Sequence, residues 1–575
     1  MANLIEQLDA QISTVLSEWS LSTTILATLL VLFIAYPIFT YSDPDTHPLL
    51  LARQATLSPV RQPHESAIYR SLETPHGWPL KTGLNVKDPG APKWTSGRDG
   101  DLRDIWREVC QGGNRKEDGV EVPKGVLMTV LGTETIEHDV QQVSKEINII
   151  GAELRQRGGS TIAIYLPNSM ELLSTLFACA FYGLDVVLLP YNLPHNTIFE
   201  LLQRTEATAL VAPAGSVPLS GLVQHVASIR QVIWTVEKTS RHMDWRGAPP
   251  GFEDNVRIRV WHDLVQSAVN TPAELPTNDQ ATPGTVTMPL HFSAHKADTA
   301  IKPFKPFTQG NLVSAVAALM TSLPPRQRLN SSDLVLPADS LTNSYVLCYT
   351  LAALISHSSV AINSVAGPGV DLALASRSIS PTVIIASAAT MANIHRTEMA
   401  KTTSLLSKIA TFNSAQAQAA GRMPTDTLLF KLLAPSASAS SNQPGRLRLI
   451  LVSAVLGSPE SPTLSSAMLS DLRIFTKARI SYALTAANVA GAISVTNLFD
   501  YRTLDKGEAN FGVPVGSVEI KLVNRDDGKL DGNSPEGDLV VMGPAVPGGE
   551  VNLGARRRIG GDGCLRFAYG QQGDA

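Results

Sequence analysis

Residues 162–192 read IAIYLPNSMELLSTLFACAFYGLDVVLLPYN, and this stretch decides the fold class. Thr161–Pro167 (TIAIYLP) is a short apolar run closed by a proline, which predicts a buried strand. The period then changes. Asn168 or Ser169 can cap the first free amides of a helix, and Glu171 adds a negative charge to its first turn. The helix predicted over Asn168–Tyr182 ends at Gly183, since glycine turns left-handed without strain. Asp185–Asn192 (DVVLLPYN) is a second apolar strand. Strand, helix and strand in this order form a crossover, so the two strands are parallel and buried on both faces.

Outward from this unit the alternation continues. Ile198–Arg204 reads as a helix and Ala209–Gly215 as a strand. It returns in Leu334–Ala338, a helix over Tyr345–His357, and strands at Ser359–Asn363, Thr382–Ser387 and Leu447–Ser453. The fold class is α/β, with parallel sheets covered by helices. Ala434–Pro444 is low in complexity and reads as an exposed loop. From Gly512 the pattern becomes antiparallel, with strands at Val518–Val523 and Gly537–Pro544, a smaller β-subdomain.

Toward the N-terminus, Trp19–Ser42 carries no charge and is long enough to cross a bilayer as a helix. Trp19, Tyr36 and Tyr41 lie near its ends, where aromatic rings favour the interface. A cleaved signal would need a basic leader, but Glu6, Asp9 and Glu18 precede this segment and no Lys or Arg does. Arg53 and Arg61 follow it, which places the main domain in the cytosol by the positive-inside rule. The endoplasmic reticulum is the expected membrane. The expected order is an amphipathic segment at 1–18, a single transmembrane helix at 19–42, a linker and lead-in at 43–100, α/β subdomains at 101–511 and a small β-subdomain at 512–575.

The composition narrows the function classes. A formal net charge of -4 over 575 residues gives no electrostatic basis for binding nucleic acid. Cys110, Cys179, Cys348 and Cys564 show no C-x-x-C spacing, so metal and redox motifs are absent, and Cys179 reads as a core residue. No Gly-x-Ser-x-Gly elbow is present, which argues against an α/β hydrolase.

The opening stretch resembles the N-terminal half of the adenylate-forming (AMP-binding, acyl-CoA synthetase-like) enzymes, and four further segments match in order. SYALTAANVAGA resembles the family's Tyr-Gly-x-Thr-Glu segment, and FGVPVGSVEIKLV its Gly-x-Pro-x-Pro strand entry. GDLVVMGPAV resembles its Gly-Glu-Leu-x-Val-x-Gly strand, and DGCLRFAYG the hairpin before its hinge. The resemblance implies ATP-dependent activation of a carboxylate to an acyl-adenylate, with Mg²⁺, followed by transfer to a thiol, often CoA. The anchor would suit a fatty or aryl acid met at a membrane.

The same resemblance marks candidate positions. The family's glycine-rich phosphate loop should precede Thr308–Asn311, where this chain has FSAHKADTAIKPFKPFTQGNL with no glycine from Thr285 to Gln309. Ser293, Lys296, Thr299, Lys302 and Lys305 are the hydroxyls and cations available there. Tyr482 and Thr485 hold the positions that contact adenine and phosphate, and Asn343 stands near the family's pocket His. Ala486 occupies the position of the acidic metal ligand, and a methyl group cannot coordinate Mg²⁺. In LGARRRIGGDGCL the ribose-binding segment is not intact; Asp562 reads as part of the hairpin and Arg556–Arg558 as a solvated run. The family's C-terminal subdomain, with its catalytic lysine and thiol tunnel, is expected to be absent after Ala575. No catalytic or metal-ligating residue is therefore assigned, and two readings stand: a membrane-anchored acid–thiol ligase, or a pseudoenzyme that binds or scaffolds.

Overall fold

The computed structural model describes residues 20–39 and 43–567, apart from 60, 88–89, 93, 113–115, 118–119, 122–123, 237–255, 269–271, 278–282, 290–304, 402–404, 424–445, 505–506, 526–528, 531 and 533. Three large sheets organise these residues. The first is wholly parallel, in the spatial order Arg257–Val260, Gln231–Thr235, Ala209–Pro213, Thr161–Ile164, Asp185–Leu188 and Val286–Thr287. The second has nine strands. Its middle six are parallel: Arg479–Ala486, Leu449–Val455, Val383–Ser387, Leu334–Pro337, Ser359–Asn363 and Leu127–Leu131. Antiparallel strands close both edges, Val489–Val495 and Val513–Pro514 on one side and Glu134–His138 on the other. The third sheet is antiparallel and includes Glu519–Val523, Glu536–Met542, Glu550–Ile559 and Leu565–Phe567.

The opening stretch folds as its pattern dictates. Ser169 Oγ accepts the Leu172 amide at 3.2 Å, so Ser169 rather than Asn168 is the cap. The helix runs Met170–Tyr182 and stops at Gly183, whose φ is +65°. All its residues except Glu171 and Tyr182 are buried, because helices and sheets cover it on every side. Each large apolar side chain sealed in this way stabilises the fold by roughly 1.5–3 kcal/mol. Trp106, from the helix Leu102–Gln111, packs on Phe177 with ring centroids 4.9 Å apart. Cys179 is fully buried, as its apolar surroundings require.

Two strands were not visible in the sequence. Ala55–Leu57 and Tyr69–Ser71, inside the segment read as a lead-in, pair with each other and then with Glu519–Val523. The small sheet is thus assembled from both ends of the described chain.

At the N-terminus, Leu21–Phe39 is a 19-residue helix without acidic or basic residues in its end turns. Leu21, Leu26, Leu30 and Val31 are exposed, at 60% or more of their surface. The side chains of residues 32–39 lie outside the description, as do residues 40–42 and the amphipathic segment 1–18. Among the described residues no helix is long and apolar enough to cross a membrane. The spanning expectation for 19–42 therefore rests partly on residues outside the description.

Candidate active site

The parallel strands of the nine-stranded sheet end side by side at Pro337, Ser387, Val455 and Ala486. In open α/β sheets the crevice beyond such carboxyl ends is where ligands bind. Four sequence-predicted positions fall here or nearby: Asn343, Tyr482, Thr485 and Ala486. Ser293 and Lys296, with Thr299 and Lys302, lie outside the described residues.

Asn343 belongs to a polar knot after the strand Leu334–Pro337. Its Oδ1 accepts the Tyr345 amide at 3.0 Å and caps the helix Ser344–Ile355. The neighbouring Asp339 is 3% exposed and accepts the Ser340 amide at 2.8 Å. Burial pushes the Asp339 carboxyl up to about 6, against the pull of the Ser340 amide and the Asn343 side chain. The Glu460 carboxylate adds to the rise. Asn168 ties this knot to the first sheet: its Nδ2 donates to the Asp339 carbonyl and its Oδ1 accepts the Leu341 amide, both at 2.9 Å. Asn168, read in the sequence as a candidate cap, thus serves instead as a bolt between the segment after Thr161–Ile164 and the loop after Leu334–Pro337.

Tyr482 and Thr485 sit on the strand Arg479–Ala486, and both are turned into the fold. Tyr482 is fully buried, and its phenolic oxygen accepts the Leu464 amide at 3.1 Å. Burial holds its hydroxyl well above the usual phenol range. Its ring stacks on Phe511 at 5.1 Å, and Phe511 meets Phe567 at 5.4 Å. The Thr485 hydroxyl donates to the Ala454 carbonyl at 3.1 Å. Ala486, at the position the resemblance gives to the acidic metal ligand, is 4% exposed and carries only a methyl group. Among the described residues no group of three or more His, Cys, Asp or Glu side chains could hold a metal ion.

The arginine run departs from its expected solvated state. Arg557 and Arg558 are only 5% and 7% exposed. Arg558 pairs with Glu508 at 2.7 Å and Arg556 with Glu536 at 2.6 Å. Arg557 lies over the Phe567 ring at 4.5 Å, and burial without a carboxylate partner lowers it to about 10. Nothing local predicts this, because Glu508, Glu536 and Phe567 all come from another strand or from a distant loop. Asp562 does sit in the hairpin. It accepts from Arg502 at 2.9 Å and Arg566 at 2.8 Å, and takes the Cys564 amide.

The undescribed segment is held at both ends. Val286 and Phe307 exchange backbone hydrogen bonds at 2.8 and 2.9 Å, immediately before the helix Gln309–Ser322. Asn311, in the first turn of that helix, donates to the Pro544 carbonyl at 2.6 Å. The segment expected to meet phosphate therefore opens and closes at one point, beside the Gly543–Gly549 turn.

Comparison with known proteins agrees with this architecture. The family described as AMP-binding enzyme matches residues 127–282. Solved structures of similar fold include an anthranilate CoA ligase in complex with anthranoyl-AMP, at 15% identity and TM-score 0.53, covering 81% of this chain and 77% of that one. Coronafacic acid ligase from Pectobacterium brasiliense, at 14% identity, has the same coverage and TM-score 0.53. A long-chain-fatty-acid-CoA ligase from Archaeoglobus fulgidus, at 12% identity, gives TM-score 0.52 over 85% of this chain and 86% of that one. No curated protein sequence matches significantly. The chain thus has the fold of the acyl- and aryl-CoA ligases.

Proposed function

We propose that this chain is an AMP-dependent, acid-activating ligase-type protein that takes ATP and a fatty or aryl carboxylic acid in the crevice beyond the nine-stranded sheet. The observation that carries this reading is the bolted junction at Asn168, Asp339 and Asn343. It ties the segment after the strand Thr161–Ile164 to the loop after the strand Leu334–Pro337, in a chain whose residues 127–282 match the AMP-binding enzyme family. The uncharged sequence of residues 19–42 is the ground for a membrane anchor, with the main domain on the cytosolic side that Arg53 and Arg61 favour. The endoplasmic reticulum suits such an anchor.

A second reading has its own observation. Ala486 supplies no metal ligand, and the hydroxyls of Tyr482 and Thr485 are both engaged within the fold. A site of this kind loses most of the charge stabilisation that adenylate formation needs, and can still bind nucleotide or acid. The two readings separate by measurement. Isotope exchange between pyrophosphate and ATP, with a panel of fatty and aryl acids, registers acyl-adenylate formation. Acid-dependent exchange supports the ligase. Binding of ATP without exchange, unchanged when Mg²⁺ is removed, establishes the pseudoenzyme. No binding of ATP or acid rejects both.

A further inference from the structure

The segment between the N-terminal helix and the small sheet is pinned at two points. At the first, Asp45 accepts the Tyr501 hydroxyl at 2.6 Å and Arg479 at 3.3 Å, while its amide donates to the Gly421 carbonyl at 2.9 Å. At the second, the Gln54 side chain donates to Asp500 at 2.9 Å and its amide to the Asp562 carbonyl at 2.8 Å. Between these pins lies the short helix Pro48–Ala52, capped by His47.

This helix is apolar in the wrong direction for a soluble surface. Of its three leucines only Leu51 faces the protein, at 8% exposed. Leu49 and Leu50 are 74% and 56% exposed, and Arg53 beside them is exposed too. Neighbouring exposed leucines on a helix held rigidly at both ends call for a cover.

The position of the helix indicates what covers it. Phe39, the last residue of the uncharged helix, stands six peptide steps before Asp45. Extended chain spans at most about 3.5 Å per residue, so Asp45 lies within roughly 20 Å of that helix end. On the anchor reading, a bilayer crossed by residues 19–42 would therefore have its surface close to Pro48–Ala52. Leucines inserted at the headgroup boundary with a basic neighbour are the chemistry of an interfacial contact on anionic lipid.

We propose that Leu49, Leu50 and Arg53 form a foot that rests on an anionic bilayer and fixes the tilt of the whole domain. This rests on the anchor reading and goes beyond it, because an anchor alone leaves the domain free to swing. The pins at Asp45 and Gln54 make the foot rigid, so lipid contact there orients the crevice relative to the membrane.

The test uses the full chain in vesicles containing phosphatidylserine, with a fluorophore on Leu50→Cys or, as a reference, on Ile136→Cys. Ile136 is 38% exposed on the edge strand Glu134–His138, at the far side of the nine-stranded sheet from Tyr501. Lipid-borne quenchers should quench the Leu50 label and leave the Ile136 label bright. Adding Leu49→Glu should weaken the contact by about tenfold or more, the effect of withdrawing one leucine from an apolar phase. Replacing phosphatidylserine by neutral lipid should also reduce quenching. If the protein floats with vesicles but both labels stay equally bright, the foot is refuted while the anchor stands. If the protein does not float at all, the anchor reading fails and the foot fails with it.

Discussion

The Leu464 amide donates to the phenolic oxygen of Tyr482 at 3.1 Å, so the tyrosine that a nucleotide would be expected to meet is already engaged inside the fold. Both partners are buried. Tyr482→Phe keeps the ring on Phe511 and leaves the Leu464 amide without an acceptor. An unpaired buried amide costs about 1–3 kcal/mol. Urea titration should register that loss. If the phenol has no role toward ligand, ATP affinity measured on the same variant stays unchanged, and a fall of tenfold or more would assign it one.

Ala486→Glu places a carboxylate at the position that the resemblance gives to the metal ligand. The expected outcome is a gain of Mg²⁺ dependence in ATP binding, read by calorimetry with and without the metal. Stability should fall, since the position is 4% exposed and a charge there loses hydration. Binding that remains indifferent to Mg²⁺ would show that other groups of the metal site are also missing.

Asp339 gives a pH signature. Its carboxyl is raised to about 6, so the folded protein holds this proton more tightly than the unfolded chain does. Stability from this group is greatest below about pH 4 and is lost as pH rises through 6. A rise of about two units corresponds to roughly 2–3 kcal/mol. Asp339→Asn can still accept the Ser340 amide and has no charge to lose. Melts at pH 4.5 and 7.5 should therefore differ less in this variant than in the parent. An unchanged difference would place the titrating group elsewhere.

Asp562 joins Arg502 and Arg566, and Arg502 also holds Asp500, so one ionic chain ties the hairpin to the loop after the central sheet. Asp562→Ala leaves Arg566, which is 17% exposed, without that partner. The loss should be about 2–4 kcal/mol, toward the lower side because Arg502 is partly solvated and keeps Asp500. Chemical denaturation measures it, and a change under 0.5 kcal/mol, roughly a surface effect, would count against the network.

Gly512 is a backbone position with little freedom to change. Its φ is +68°, and an added Cβ would stand 2.0 Å from the Val495 carbonyl oxygen. Gly512→Ala combines left-handed strain with a clash against backbone, each worth about 1–3 kcal/mol. A variant that melted like the parent would mean that this corner repacks.

The parallel core was legible because its signals are local. Thr161–Gly183 carries its strand, cap and left-handed stop within one run; the strand ends three residues earlier than read, at Ile164, and the helix starts two later, at Met170. Ala55–Leu57 and Tyr69–Ser71 were not legible. Three-residue strands show no usable alternation, and Tyr69–Ser71 joins the sheet through a partner more than 400 residues away in sequence. The arginines failed for the same reason: a charge run is solvated unless distant carboxylates and rings come to it, as Glu508 and Phe567 do. By resemblance, the sequence proposed Asn343, Tyr482 and Thr485 as nucleotide-site positions. It could not reveal that Leu464, Ala454 and Tyr345 already occupy their polar atoms.

The backbone exchange between Val286 and Phe307 makes the intervening stretch a cassette. Its two ends meet whatever lies between them, so its composition and length can drift without shifting either parallel sheet. Doubling such a loop costs only about 0.6 kcal/mol in closure entropy. A lineage could therefore discard a glycine-rich sequence here and keep the scaffold intact. An engineer could insert one at the same seam.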